Sequence, residues 1–130
     1  MANGLLDTSA VLAFVLGEPH DVDEDQVLAG AAICSTSLTE LIAVLTLREI
    51  PPEIIKATIE DFGLRVLPFT ETAAEIAGTL LPEARHLGMT LADCASIATA
   101  IEKGLVVWTA NPRWTQLRAD GATIEPIRKS

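Results

Sequence analysis

Leu5-Leu6-Asp7-Thr8-Ser9-Ala10-Val11-Leu12-Ala13-Phe14-Val15 is the stretch whose reading decides the fold. Two leucines run into an aspartate, and beyond it Val11, Leu12, Phe14 and Val15 recur at roughly helical spacing. The pattern predicts a short buried strand, a carboxylate at its carboxyl end, and a helix that starts at once. In an open parallel sheet, ligands bind outside the carboxyl ends of the strands, so Asp7 stands where chemistry is usually done. Taken alone, it reads first as a cap on the following helix, a common task for aspartate. What matters is whether other acids arrive at the same edge.

Further along, four more strands are expected, at 31–35, 64–69, 105–109 and 123–127, the last at an edge. The acidic run Asp21, Asp23, Glu24 and Asp25 leads into a short helix closed by Gly30, with acids in its first turn where they oppose the helix dipole favourably. A helix over 37–48 carries Leu38, Leu41, Ile42, Leu45 and Leu47 on its apolar face. Pro51-Pro52 stops it and starts the next, since proline is tolerated in a first turn. Ile54, Ile55, Ile59 and Phe62 mark the buried stripe of that helix, and Gly63 ends it. The segment 70–85 is helical, with a break or kink expected near Pro82. A helix rich in small residues follows over 90–103, and Asn111-Pro112 opens a short helical turn. Strands alternating with helices predict an α/β domain, a parallel sheet covered on both faces.

The chain has 130 residues, read as one domain over 1–130 and long enough to bury a core without disulfides. Aromatic residues make up only 4%, so aliphatic and alanine side chains must build that core. Cys34 and Cys94 both lie in apolar contexts and read as buried thiols, which suits a reducing cytoplasm. No apolar run approaches the ~20 residues of a membrane span, and no basic region precedes the first apolar stretch as in a signal peptide. The net charge of −9 argues mildly against a nucleic-acid partner held by the overall field. Part of that acidity belongs to a metal site if the acids converge.

Glu40, Asp93 and Asn111 need the same weighing as Asp7. Ser37-x-x-Glu40 fits a capping box, in which the glutamate reaches back to a free backbone N–H. Thr90-x-x-Asp93 fits the looser version, and Asn before Pro is ordinarily a turn residue. Singly, each structural reading leads. Jointly they do not, because Asp7, Glu40 and Asn111 each follow a strand's carboxyl end and Asp93 heads the helix before the strand ending at Thr109. Caps have no reason to gather at one edge. Carboxylates gathered there repel unless protons or a cation offset them. Mg²⁺ or Mn²⁺, which prefers carboxylate oxygens and keeps several waters, is the simplest answer. No Cys/His spacing suits zinc, and no glycine-rich phosphate loop or serine–histidine pair is present.

These residues resemble those of the PIN domain family, and within it the VapC-type ribonuclease toxins of toxin–antitoxin systems. The resemblance rests on Leu5-Leu6-Asp7-Thr8-Ser9, Thr36-Ser37-Leu38-Thr39-Glu40-Leu41, Leu91-Ala92-Asp93-Cys94-Ala95-Ser96-Ile97-Ala98-Thr99-Ala100 and Val106-Val107-Trp108-Thr109-Ala110-Asn111, in the family's order. It implies a three-layer α/β/α sandwich on a small, mostly parallel sheet of four or five strands. It also implies acids at Asp7, Glu40 and Asp93, a supporting Thr109, and a fourth acid at position 111. There this chain departs, since Asn111 stands where an Asp is usual.

The resemblance further implies Mg²⁺- or Mn²⁺-dependent cleavage of RNA, with the metal on Asp7 and Asp93 and Glu40 handling the attacking water. Asn111 removes one charge from that site. Arg48, Arg85, Arg113 and Arg118 are candidates for holding the phosphate backbone, although ordinary surface arginines are the commoner outcome. The implied partners are RNA, a VapB-like antitoxin covering the acidic groove, and a second copy of the chain in a homodimer. The implied compartment is the cytoplasm, with no membrane role. The alternative is a catalytically impaired PIN-like binding module, favoured by Asn111. A receiver-like phosphoacceptor ranks lower, because Leu6 precedes Asp7 where an acid pair is needed.

Overall fold

In the computed structural model, residues 3–129 are described. The first strand, β1 (Gly4–Leu6), passes through Asp7 into helix α1 (Thr8–Leu16). A short helix α2 (Glu24–Leu28) precedes β2 (Ala32–Cys34), which turns directly into α3 (Ser35–Leu47). Then come α4 (Pro52–Phe62), β3 (Arg65–Leu67), α5 (Glu71–Ala84) and α6 (Leu91–Lys103). The chain finishes with β4 (Val106–Thr109), a 3-10 turn over Pro112–Gln116, and β5 (Thr123–Pro126). All five strands are parallel, in the order β3-β2-β1-β4-β5.

Alternation along the strands divides the core into two layers. Leu5, Cys34 and Val107 pack with residues of α5 and α6 such as Ala73, Ala77, Ile97 and Ala98. Leu6 and Ile33 point the other way, to Val11 and Phe14 of α1, Leu41 and Leu45 of α3, and Ile55 of α4. Both faces of the sheet are thus covered, as a parallel sheet requires. Cys34 and Cys94 are free and buried, as expected. Among the described residues no helix is long and apolar enough to cross a membrane.

Local expectations need correction. Helix α3 begins two residues early, with Cys34 as its cap and no side-chain capping bond, so Ser37 and Glu40 form no capping box. Strand β3 spans three residues rather than six, because its neighbour β2 offers only Ala32, Ile33 and Cys34 for pairing before it coils. Helix α5 runs unbroken through Pro82, which forfeits one N–H in the last turn before the chain tightens into a 3-10 turn at Arg85–Leu87. Ile54 faces outward at 52% exposure, leaving Ile55 as the buried member of its stripe, and on α3 Ile42 and Leu47 are likewise exposed, leaving Leu41 and Leu45 to bury its apolar face.

Candidate active site

Asp7 ends β1 with its backbone N–H donating to the Trp108 carbonyl, which prolongs the β1–β4 ladder by one rung. Its side chain is only 3% exposed. The cap reading holds. Oδ1 accepts the Ala10 N–H at 2.8 Å, closing the first turn of α1. Oδ2 accepts the Thr109 hydroxyl at 2.8 Å, from the end of β4. Ser9 Oγ lies 2.8 Å from both carboxylate oxygens and accepts the Ala110 N–H at 3.0 Å. Burial outweighs these donors, and together with the nearby Asp93 charge it lifts the Asp7 carboxyl from 3.8 to about 7.

Glu40 lies in the second turn of α3, half-buried. Freed of any capping duty, it receives Thr8: the Thr8 hydroxyl is 3.1 Å from Glu40 Oε1 and 3.1 Å from the Ser37 carbonyl oxygen. Asp93 does form the capping box with Thr90. Its Oδ2 accepts the Thr90 N–H at 2.8 Å, and its own N–H donates to Thr90 Oγ1 at 3.2 Å. Partial burial raises both carboxyls, and the Asp93 charge raises Glu40 further. Asp93 therefore acts electrostatically on Asp7 and Glu40 alike, and the three acids share one neighbourhood at the carboxyl edge of the sheet.

Asn111 follows the end of β4, with its N–H donating to Thr109 Oγ1 at 3.1 Å. Its Oδ1 accepts the Arg113 N–H at 3.0 Å, capping the 3-10 turn. Of the candidate arginines, Arg48, Arg85, Arg113 and Arg118 are all exposed. The Arg113 guanidinium reaches only the His86 carbonyl, at 3.4 Å. Ser9 was not singled out from the sequence, although its place two residues after Asp7 in a first helical turn is where a hydroxyl can return to a cap.

Among the described residues no three His, Cys, Asp or Glu side chains converge tightly enough to hold a metal ion between them. The donor set nevertheless suits a hard divalent cation that keeps much of its water. It is all oxygen, its three carboxyls are raised by burial, and Asp93 Oδ1 and Glu40 Oε2 accept nothing from any described residue.

The PIN domain model matches residues 4–120. No curated protein sequence matches the chain significantly. Among solved structures, a DNA-bound VapBC from Salmonella typhimurium is 30% identical with a TM-score of 0.76, over 97% of this chain and 98% of that one. VapBC-5 from Mycobacterium tuberculosis, a member of the VapBC family of toxin–antitoxin systems, is 25% identical with a TM-score of 0.65, over 99% and 100% of the two chains. VapBC2 from Rickettsia felis, bound to a promoter fragment, shares the fold at 19% identity and a TM-score of 0.73, over 94% and 96%. With the family match running through β1, all three acids and the end of β4, the chain belongs to the PIN domain family.

Proposed function

We propose that the protein is a metal-dependent endoribonuclease of the VapC toxin type, working in the cytoplasm and neutralised by a cognate antitoxin. The observation that carries this reading is the convergence of Asp7, Glu40 and Asp93, from three separate elements, at the carboxyl edge of a parallel sheet. A divalent cation held by Asp7 and Asp93 would polarise a water and offset charge building on the phosphate. Glu40, whose Oε2 carries no bond from a described residue and whose carboxyl is raised by burial, would accept the proton of the attacking water. In-line attack of the water oxygen on phosphorus would break the P–O3′ bond, with the departing O3′ taking a proton back from Glu40 or from solvent. The products carry a 5′-phosphate and a 3′-hydroxyl. Thr109 and Ser9 keep Asp7 oriented throughout.

The VapBC structures similar to this chain support an antitoxin partner. A basic antitoxin segment entering the acidic pocket is the form that suits a chain of net charge −9. A homodimer follows from the family resemblance alone. The rival reading, a PIN-like module without activity, draws on one observation: Asn111 follows β4 where an acid is usual, leaving the site one charge short. Total bacterial RNA incubated with Mn²⁺, with EDTA, and with Asp7→Asn plus Mn²⁺ separates the two. Cleavage in the first reaction alone is expected, and equal outcomes in all three discard the mechanism.

A further inference from the structure

Arg128 was not among the arginines considered from the sequence, yet it is the one the fold fixes beside the site. Its Nε donates to the Ala110 carbonyl at 3.1 Å, while Nη1 donates to Glu18 Oε1 at 3.1 Å and reaches the Pro19 carbonyl at 3.5 Å. Ala110 is the residue whose N–H holds Ser9 Oγ, and Ser9 holds Asp7. The guanidinium is thus linked to the Asp7 carboxylate through the backbone of one residue, Ala110, and the Ser9 hydroxyl. Nη2 donates to no described residue. Arg128 lines an open depression of about 340 Å³ together with Ser9, Ala110, Asn111 and Pro112. Arg128 also lines a second depression of about 300 Å³, with Pro19, His20, Asp21 and Lys129.

We propose that Arg128 binds a backbone phosphate of the RNA chain where it leaves the acidic site, and that Glu18 holds its place until RNA arrives. The inference rests on the ribonuclease reading above. Three physical points carry it. A chain with 18 acids and 9 Lys and Arg residues repels RNA at long range, so any phosphate contact near the acids must come from a local cation. The guanidinium fork suits phosphate oxygens, and a guanidinium already fixed by Ala110 loses little freedom on engaging one. Glu18 is a weak competitor: the pair is partly exposed, at 29% for Arg128 and 42% for Glu18, and such pairs are screened by solvent. A phosphate can take over from the carboxylate without leaving a buried charge behind.

The test pairs two variants on one mixed-sequence single-stranded RNA oligonucleotide with Mn²⁺, measuring kcat and KM separately and melting each protein without RNA. Arg128→Gln is expected to raise KM roughly tenfold with kcat within about twofold, and to lower the salt slope of binding by about 0.7. Glu18→Gln is expected to do the reverse, lowering KM by releasing the guanidinium. A purely structural role predicts a loss of melting temperature, larger for Arg128→Gln because it also gives up the Ala110 and Pro19 carbonyls, and no movement of KM in either variant. Unchanged KM in Arg128→Gln, or KM moving in one direction for both variants, overturns the proposal. If Arg128→Gln does not fold, Glu18→Gln decides alone, and a KM that fails to fall overturns it. A wild-type protein that cuts no RNA with Mn²⁺ refutes the ribonuclease reading first and this inference with it. A wild type that cuts while the variants behave alike refutes the inference only.

Discussion

Asp7 is the residue on which the site turns, and its burial gives it a signature in stability. Between 3.8 and about 7 the folded protein retains a proton that the unfolded chain has released. Stability therefore falls as pH rises through that window and levels off above it, by at most about 1.4 kcal/mol per unit. Melting the metal-free protein from pH 8 down to pH 5 should show Tm rising, a component that Asp7→Asn lacks. Saturating Mn²⁺ should flatten the rise by holding the carboxylate ionised. Thr109 offers a second check. Thr109→Val removes the donor to Asp7 Oδ2 and the acceptor of the Asn111 N–H. It should cost about 1–3 kcal/mol in urea denaturation and push the Asp7 transition to still higher pH. At this scale the sequence was most legible where one residue does two things: Leu6-Asp7-Thr8 announced both the cap and the carboxylate. Arg128 was illegible, because nothing in the local sequence says that its side chain returns to Ala110.

At the scale of elements, spacing and punctuation identified every helix and strand, while boundaries depended on neighbours. Ser37-x-x-Glu40 looks like a helix start only if the preceding strand runs to Ser35. Pairing with β1 ends at Ile33, so the chain coils early and Glu40 lands in the second turn, facing Thr8. Thr90-x-x-Asp93 had no such competitor, and its box formed as written. Thr90→Ala should lower the stability of the protein by about 1 kcal/mol through loss of that cap. The Thr90 N–H still reaches Asp93 Oδ2, so RNA cleavage should fall less than in Asp93→Asn. Between β1 and β4 the limit is contact rather than capping. A Cβ on Gly4 would stand 2.5 Å from Trp108 Cδ1. Gly4→Ala must therefore shift the indole or the strand, and about 1–3 kcal/mol of destabilisation in the denaturation midpoint is expected.

Across the whole molecule, the sheet is held between two apolar layers, with the acids at its carboxyl edge. EDTA should accordingly abolish RNA cleavage while leaving the far-UV circular dichroism spectrum unchanged. Adding Mn²⁺ at one hundred times its dissociation constant should stabilise the fold by about 2.7 kcal/mol through mass action, seen as a concentration-dependent Tm. Alternating strand and helix signals made the parallel α/β architecture readable in advance. They could not give strand order, since the crossovers that place β1 in the centre are decided by packing across the sheet rather than along the chain.

Beneath the acids, Ser37 of α3 and Ser96 of α6 share a hydrogen bond at 1% exposure each, among small neighbours such as Ala95. Two uncharged hydroxyls thus act as the spacer between the helices that carry Glu40 and Asp93. The gap between those two helices is set in part by the girth of the side chains at positions 37 and 96. A bulkier residue at position 96 would prise those helices apart and loosen ion binding without altering a single formal charge.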